Sequence, residues 1–222
     1  MPDHVRRRFR FVVFDWDGTL ADSTGLIVYA IQAACRDIGE PVPDDFTARY
    51  VIGLGLADML RHIAPRLPPE RHRDLTARYR HHYLRADASI PLFAGVPEML
   101  DELEAAGCLL GIATGKSRVG LDRAFDQQGI GHRFVATRCA DEGFPKPNPD
   151  MLLHLMDRVG ATAPETLMVG DTTHDVELAR NAGVAAVAVS YGAHASAGLA
   201  KLDPLALVDS VDELRRWLRA NA

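Results

Sequence analysis

Lysine is scarce in this chain, although basic residues are not. The 222 residues include three lysines and twenty-two arginines. Any site that needs a lysine side chain must therefore use Lys116, Lys146 or Lys201. This scarcity narrows the search for a functional site, because two of the three lysines lie in the motifs described below.

Cysteine is also scarce, and its spacing excludes two common uses. Cys35, Cys108 and Cys139 lie far apart and form no Cys-x-x-Cys pair. This spacing argues against a disulfide framework and against a structural zinc site. Isolated thiols are typical of a reducing compartment, so the sequence predicts a cytoplasmic protein with reduced cysteines.

The chain has no long hydrophobic run. Arginines at positions 6, 7, 8 and 10 precede the first apolar stretch, but that stretch, Phe11–Phe14, stops at Asp15. It is too short for the core of a signal peptide or for a membrane span. The net charge of −5 does not indicate nucleic acid binding. We therefore expect neither a membrane nor a nucleic acid as a partner, and the sequence does not indicate an oligomeric state.

Strand-like and helical patterns alternate along most of the chain. An apolar run at residues 9–14 predicts a buried strand, and helical spacing follows from Ile27 to Ile38. Further strands are predicted at residues 108–113, 134–136, 166–169, 184–189 and 206–208, and helices at 96–106, 117–128, 150–159, 175–182 and 211–218. This alternation predicts an α/β fold with a doubly wound, mostly parallel sheet.

Residues 40–88 differ from the rest of the chain. They are rich in Arg, His and Pro, they contain no strand-like run, and residues 56–63 and 70–84 follow helical patterns. This composition predicts a helical insertion in the α/β fold. We expect the insertion at residues 22–88 and the α/β core at residues 1–21 and 89–222.

Polar motifs follow the predicted strands. Asp15 and Asp17 come after the first strand, and Thr-Gly-Lys at residues 114–116 comes after the second. Lys146 lies in a Lys-Pro-Asn-Pro loop, and residues 170–175 follow a later strand. Parallel sheets bind ligands at the carboxyl ends of their strands, so we expect these segments to meet there.

Carboxylates with a lysine and a hydroxyl group favour phosphoryl chemistry on a hard cation such as Mg²⁺. The carboxylate of Asp15 could attack phosphorus and form an acyl phosphate, which divides one difficult step into two. Two like charges 4 Å apart repel by about 4 kcal/mol at an effective dielectric constant near 20. The attack therefore needs Mg²⁺ and a lysine as compensating cations. Asp17 lies in a turn that Gly18 permits, and it could move protons for the leaving group and for water.

The four motifs resemble those of the haloacid dehalogenase-like hydrolases, in the branch with a helical cap inserted after the first motif. The resemblance covers nearly the whole chain. Residues 17–23 (Asp-Gly-Thr-Leu-Ala-Asp-Ser), 113–116 (Ala-Thr-Gly-Lys) and 170–175 (Gly-Asp-Thr-Thr-His-Asp) look most like the phosphoglycolate phosphatase-like members. The chain departs from the family at Trp16, where phenylalanine is usual, and at Pro145, where a small polar residue is common.

The resemblance implies a role for each of the following motif residues. Asp15 matches the nucleophile and Asp17 the acid/base. Thr114, with Gly115 beside it, matches the second motif, which binds the phosphoryl oxygens. Lys146 matches the lysine that balances charge around the nucleophile and the phosphate. Similar proteins can hold the peptide bond after this lysine in the cis form, which the sequence alone leaves open.

The resemblance also implies a cofactor and a reaction. Asp171 and Asp175 match the acidic motif that helps hold Mg²⁺, together with Asp15 and the backbone carbonyl of Asp17. The expected reaction is the hydrolysis of a small phosphate monoester through an aspartyl phosphate. At the level of the family, 2-phosphoglycolate is the expected substrate, so the expected partner is a small phosphorylated metabolite.

The cap of such enzymes closes over the site and selects the leaving group. Residues 51–55, with Gly53 at their centre, resemble the cap loop that meets substrate, although a structural turn is an alternative interpretation. Arg49 is a candidate ligand for a substrate carboxylate, and Lys116 is a candidate phosphate contact. A surface position is the alternative for both side chains.

Two other functions stay open from the sequence. A β-phosphoglucomutase-like phosphotransferase needs the same core residues. A phospho-accepting signalling domain, which is not an enzyme of this kind, also combines an accepting Asp with a Thr and a Lys on a doubly wound sheet. The insertion, the position of Asp17 and the Gly-Asp-x-x-x-Asp pattern at residues 170–175 favour the enzyme. Asp17 also argues against dehalogenation, and the lack of any lysine in the insertion argues against Schiff-base chemistry.

Overall fold

A six-stranded sheet forms the centre of the protein. The computed structural model describes residues 8–85 and 90–222. In chain order the strands are β1 (Phe11–Phe14), β2 (Leu109–Thr114), β3 (Phe134–Cys139), β4 (Thr166–Gly170), β5 (Ala185–Val189) and β6 (Ala206–Val208). Their order across the sheet is β3-β2-β1-β4-β5-β6, and each neighbouring pair is parallel.

Helices connect these strands and cover the sheet. In chain order the described α-helices are α1 (Thr24–Asp37), α2 (Asp45–Tyr50), α3 (Leu56–Ile63), α4 (His72–Leu84), α5 (Val96–Ala105), α6 (Arg118–Gln128), α7 (Asp150–Val159), α8 (Thr173–Asn181), α9 (Ser196–Ala200) and α10 (Val211–Asn221). No helix within the described ranges is both long enough and apolar enough to cross a membrane.

Alternate residues of β1 pack against different helical layers. Val12 and Phe14 belong to a hydrophobic cluster with α5, α6 and α10. Phe11 and Val13 belong to a second cluster with α7 and α8. All four side chains are completely buried, as expected for a parallel strand covered on both faces. The doubly wound parallel sheet predicted from the sequence is therefore confirmed.

Helix α8 begins two residues earlier than the predicted start at Asp175. The backbone N–H of Asp175 donates to the Thr172 hydroxyl at 3.3 Å, and the backbone N–H of Thr172 donates to the Asp175 carboxylate at 3.0 Å. This reciprocal pair is a capping box, which makes Thr172 the N-cap and Asp175 the third helical residue. The predicted start at residue 175 was wrong, because Asp175 lies within the first turn of the helix and not at its beginning.

Between β1 and α5 the described chain forms helices α1 to α4, here called the helical insertion. Its buried apolar residues, among them Ile31, Leu60 and Leu75, form one cluster together with Ala193 of the core. The sequence did not predict α2, because six residues are too few to show a helical period. The predicted boundary between residues 88 and 89 lies outside the described residues, as do Arg6 and Arg7. The division into 22–88 and the two core segments stays a prediction.

Gly111 of β2 lies in close contact with the neighbouring strand β1. A Cβ atom added there would lie 2.8 Å from Cζ of Phe11 on the neighbouring strand, and Phe11 is completely buried. We expect Gly111→Ala to lower the free energy of unfolding by about 1–3 kcal/mol, because a packed core has no room for the methyl group. Denaturant unfolding measures this change.

Gly25 in α1 provides the matched control. A Cβ atom added there meets nothing within 4 Å. Gly25→Ala should therefore leave the free energy of unfolding unchanged or raise it by up to about 1 kcal/mol, since alanine favours a helix over glycine. Equal unfolding midpoints for the two variants would contradict the close packing of β1 against β2.

Candidate active site

Three of the predicted polar residues lie at adjacent strand ends. Asp15 follows β1, Thr114 is the last residue of β2, and Asp171 follows β4. Strand β1 lies between β2 and β4, where the chain order across the sheet reverses. This is the topological switch point at which parallel sheets bind their ligands. All three side chains are completely buried.

Lys146 reaches this edge from the loop between β3 and α7. Its Nζ lies 2.6 Å from Oδ1 of Asp175 and 3.0 Å from Oδ1 of Asp15. The side chain is buried, and the peptide bond to Pro147 is cis. The sequence had left the form of this bond open. Lys146 therefore forms ion pairs with Asp15, which follows β1, and with Asp175 of α8.

The carboxylates of Asp15, Asp171 and Asp175 form a cluster. One oxygen from each lies within 4.8 Å of the others. Asp171 is held in place by the Thr19 hydroxyl, which donates to Oδ1 at 2.9 Å, and by the backbone N–H of Ala193, which donates to Oδ2 at 2.6 Å. Asp171 and Asp175 therefore have hydrogen-bond partners for their carboxylates, whereas the carboxylate oxygens of Asp15 have none among the described residues.

Asp15 meets the requirement for a cation ligand. Neither of its buried carboxylate oxygens has a hydrogen-bond partner among the described residues, although Oδ1 forms the ion pair with Lys146. When all are ionised, three carboxylates and one lysine leave two negative charges uncompensated in a buried site. Buried charges need partners, and an all-oxygen set of carboxylates suits Mg²⁺. The residues present therefore fit a divalent cation.

The electrostatics of the cluster appear in the pKa values of its members. Burial, together with the charges of Asp175 and Asp17, raises the pKa of Asp15 to about 7, against the opposing effect of Lys146. Burial and the neighbouring carboxylates also raise the pKa of Asp171 well above its usual range. Burial alone would lower the pKa of Lys146, but Asp15 and Asp175 outweigh it and raise this pKa. The lysine is therefore charged, and the carboxylates repel one another.

Asp17 faces a different set of partners. Its carboxylate accepts hydrogen bonds from Nζ of Lys116 at 2.9 and 3.0 Å and from the Ser23 hydroxyl at 2.7 Å. Lys116 also donates to the hydroxyl of Tyr83 in α4, at 2.7 Å. Gly18 adopts a positive φ of 82° in the turn after Asp17, as the sequence predicted. Asp17 thus lies beside the cluster and is linked through Lys116 to the helical insertion.

Two further contacts join the insertion to the core. A Cβ atom on Gly115 would lie 2.6 Å from the carbonyl oxygen of Gly53, so the two loops touch through their backbones. The backbone carbonyl of Tyr50 accepts from Nε2 of His174 at 2.8 Å and from Nε2 of His194 at 3.1 Å. The loop that contains Gly53 therefore lies directly over the end of β2.

The two histidines are neutral in this arrangement. Nδ1 of His194 accepts the backbone N–H of Thr173 at 3.0 Å, so its proton is on Nε2, which faces Tyr50. Burial lowers the pKa of both His174 and His194. The hydrogen bonds to Tyr50 consequently need no charged imidazole.

A cavity of about 460 Å³ opens between the insertion and the core. Asp17, Gly53, Gly115 and Lys116 are among its lining residues. Arg49 is not among the described residues that line it, and its proposed contact with substrate stays a prediction.

Sequence reasoning missed several residues that hold this site. Thr19 and Ser23 stand inside the first motif, but their partners Asp171 and Asp17 could not be assigned before the fold was known. Tyr83 and Ala193 had no local signal, because they reach the site only through tertiary packing. The Thr172 N-cap had a signal in the sequence, since an Asp follows it three residues later.

Comparisons with known proteins identify the family of this chain. The family described as haloacid dehalogenase-like hydrolase matches residues 12–189. A probable phosphatase of Dickeya dadantii, IndB, is 36% identical over 209 residues, which cover 91% of this chain and 90% of that protein. A phosphoglycolate phosphatase of Vibrio parahaemolyticus is 32% identical over 229 residues, covering 98% of this chain and 100% of that protein.

A solved structure of similar fold is that of a hydrolase from Pseudomonas syringae. It superimposes with a TM-score of 0.86 at 23% identity and covers 96% of this chain and 98% of that one. The family match spans most of the sequence, and the two curated relatives are named as phosphatases. The chain therefore belongs to the haloacid dehalogenase-like hydrolases and is a phosphatase of that family.

Proposed function

We propose that this phosphatase hydrolyses a small phosphate monoester through a covalent aspartyl phosphate on Asp15, with Mg²⁺ as cofactor. The observation that carries the proposal is the state of Asp15. Its carboxylate is completely buried at the switch point, its oxygens lack hydrogen bonds, and Lys146 lies 3.0 Å away. A nucleophile needs a free lone pair beside a compensating cation, and Asp15 has both.

In the first step, an oxygen of Asp15 attacks phosphorus and the bond to the alcohol oxygen breaks. Asp17 donates its proton to the departing oxygen, so the alcohol leaves neutral. In the second step a water attacks the acyl phosphate, and Asp17, now ionised, accepts a proton from it. Inorganic phosphate leaves and Asp15 is regenerated. Substrate must replace Lys116 as the partner of Asp17, since both carboxylate oxygens face Nζ of that lysine.

The phosphoryl oxygens need donors and positive charge in both steps. We assign these contacts to the Thr114 hydroxyl, the backbone N–H of Gly115 and the ammonium group of Lys146. Thr114 lies at the end of the strand next to Asp15, and Lys146 contacts Asp15 directly. Donors aimed at developing charge in a buried site stabilise a transition state more than they would in water.

The metal would be held by the carboxylates of Asp15, Asp171 and Asp175, with the backbone carbonyl of Asp17 as a further ligand. When bound, it would supply the positive charge that lets an anionic carboxylate approach an anionic phosphate. The chain's own contribution is to hold Asp171 through Thr19 and Ala193, and Asp175 through Thr172, before substrate arrives.

We assign the helical insertion the role of a cap that excludes water and contacts the leaving group. The contact of Gly53 with Gly115, the hydrogen bonds of Tyr50 and the Tyr83–Lys116–Asp17 chain support this role. The name of the Vibrio relative makes 2-phosphoglycolate the reference substrate. Phosphotransfer to a sugar phosphate uses the same core residues, and assaying phosphate release beside hexose phosphate isomerisation separates it from hydrolysis.

Replacement of the nucleophile tests the covalent mechanism. Asp15→Asn keeps the shape of the side chain but removes the attacking oxyanion, so kcat with 4-nitrophenyl phosphate should fall by about a thousandfold or more. Asp157→Asn, the same change at an exposed position of α7, should leave kcat unchanged. A kcat for Asp15→Asn within tenfold of the unmodified protein would exclude Asp15 as nucleophile.

Replacement of Asp17 tests the proton shuttle. Because 4-nitrophenol leaves without much help from an acid, Asp17→Asn should still form the phosphoenzyme but should slow its hydrolysis by about 10²–10⁴-fold. Quenched single-turnover reactions with labelled substrate should then show accumulated phosphoprotein. Asp22→Asn, at an exposed neighbouring position, is the control. Unchanged breakdown in Asp17→Asn contradicts the assignment, and a phosphoprotein that never turns over in the unmodified chain favours a signalling domain.

Metal binding should stabilise the protein more at high pH than at low pH. The pKa of Asp15 is raised to about 7, so without metal its contribution to stability is present below pH 4 and is lost as the pH rises through 7. Mg²⁺ would take the place of the proton in compensating the charge of Asp15. A Mg²⁺ concentration a hundredfold above the Kd at pH 8 should raise Tm by roughly 5–10 °C at that pH. At pH 5 the rise should be smaller, since Mg²⁺ must displace the proton.

Differential scanning fluorimetry measures this shift. Asp15→Asn should reduce the rise in Tm at pH 8, and excess EDTA should stop turnover until Mg²⁺ is restored. A Tm that responds equally at both pH values, or a rate that EDTA does not change, would contradict the assignment of the metal site.

A further inference from the structure

The cavity between the helical insertion and the core has a wall that the reaction alone does not explain. It is bounded by α3 and α4 of the insertion and by the first turns of α6 in the core. Its volume of about 460 Å³ lies in the range of about 300–1,000 Å³ that is typical of pockets for drug-sized ligands.

The cavity lies on the leaving-group side of the site. Asp17 is in its wall, whereas Asp15, Thr114 and Lys146 are not among its lining residues. Under the proposed function, Asp17 gives its proton to the departing alcohol and the other three residues face the phosphoryl group. The organic part of the substrate therefore extends from Asp17 into this cavity. The inference that follows rests on that function.

The lining of the cavity is mostly apolar. Ten of its nineteen residues are Ile, Val, Leu, Met or Tyr. Two of them, Tyr79 and Tyr83, lie one turn apart on α4 with their rings stacked at a centroid distance of 5.8 Å. Such a surface binds apolar and aromatic groups, because it removes them from water and offers ring faces for stacking.

Apolar side chains also surround the mouth of the cavity. Leu56 of α3, Leu84 of α4 and Val119 of α6 are 39%, 46% and 67% exposed. All three are lining residues, and they come from three different helices. A single exposed apolar side chain is ordinary, but a group of them around one opening marks a binding surface.

This surface is a poor match for 2-phosphoglycolate. Its leaving group has two carbons and a carboxylate, which fills little of the cavity and makes no use of the apolar wall, although Arg80, Lys116 and Arg123 also line the cavity. Lys116 is the lining cation that contacts Asp17, and it already donates to Asp17 and Tyr83. A substrate carboxylate held near Asp17 would compete with Asp17 and Tyr83 for the ammonium group of Lys116.

We propose that the preferred substrates are phosphate monoesters whose alcohol carries a ring-sized apolar group, which packs against Tyr79, Tyr83, Met59 and the rim residues Leu84 and Val119. The apolar group contributes binding in the cavity, and it aligns the ester oxygen with Asp17. Substrates with short polar alcohols lack this contact and are hydrolysed less efficiently.

Three phosphate esters test the proposal. Benzyl phosphate and ethyl phosphate have leaving alcohols of similar acidity, so their comparison isolates the effect of the ring from leaving-group chemistry. We expect kcat/KM for benzyl phosphate to exceed that for ethyl phosphate by about tenfold or more, as is usual for added apolar contact in an enzyme pocket. It should exceed kcat/KM for 2-phosphoglycolate as well.

A pair of exposed substitutions tests which surface is responsible. The double variant Leu84→Gln/Val119→Gln makes the rim polar at two positions outside the catalytic machinery. It should lower the benzyl-to-ethyl ratio at least about threefold. The matched control is Val135→Gln/Leu153→Gln, the same exchanges at sites 53% and 50% exposed on β3 and α7. It should retain the full ratio.

The outcomes separate this proposal from the function on which it rests. Hydrolysis of all three esters with equal efficiency, or a preference for 2-phosphoglycolate, overturns the apolar leaving-group pocket and leaves the phosphatase mechanism intact. A ratio that falls equally in both double variants also overturns it. If none of the three esters is hydrolysed while Mg²⁺ is bound, the proposed function itself fails.

Discussion

Uncompensated negative charge in a buried site is the constraint on which the rest of this structure depends. Asp15, Asp171 and Asp175 converge within 4.8 Å, and Lys146 is the cation that contacts two of them. Burial, together with this repulsion, raises the pKa values of Asp15 and Asp171. Such a cluster costs folding free energy unless a cation joins it. Under the proposed function, this excess of negative charge would give a divalent ion its binding energy.

The sheet provides the rigid frame that this arrangement requires. β1 is buried on both faces, and its end meets the ends of β2 and β4 where the strand order reverses. Packing below these ends fixes their side chains, and Asp15, Thr114 and Asp171 are completely buried there. The capping box of Thr172 and Asp175 extends this fixation into α8. The same hydrogen bonds therefore begin the helix and hold the carboxylate of Asp175 in the cluster.

The sequence predicted those parts of the site that depend on local pattern. Asp15 and Thr114 stand at the ends of apolar runs, Lys146 is one of three lysines, and all three match motifs of the family that the sequence resembles. Helices α2 and α9, of six and five residues, were not predicted, since neither is long enough to show a period. The contact of Lys116 with Asp17 spans 99 residues, and that with Tyr83 spans 33. The pairing of β1 with β2 brings Lys116 to Asp17, and packing of the insertion on the core brings Tyr83 to Lys116. No local pattern indicates either contact.

Asp17 connects the core with the helical insertion through its hydrogen-bond partners. Lys116 and Ser23 hold its carboxylate in the absence of substrate, and Tyr83 ties Lys116 to the insertion. Under the proposed mechanism the leaving group must take the place of Lys116. A substrate that fills the apolar cavity gains the contact energy needed for this exchange, whereas a small one does not. Binding energy far from phosphorus is then used to orient the acid, which raises the rate of the chemical step and not only the affinity.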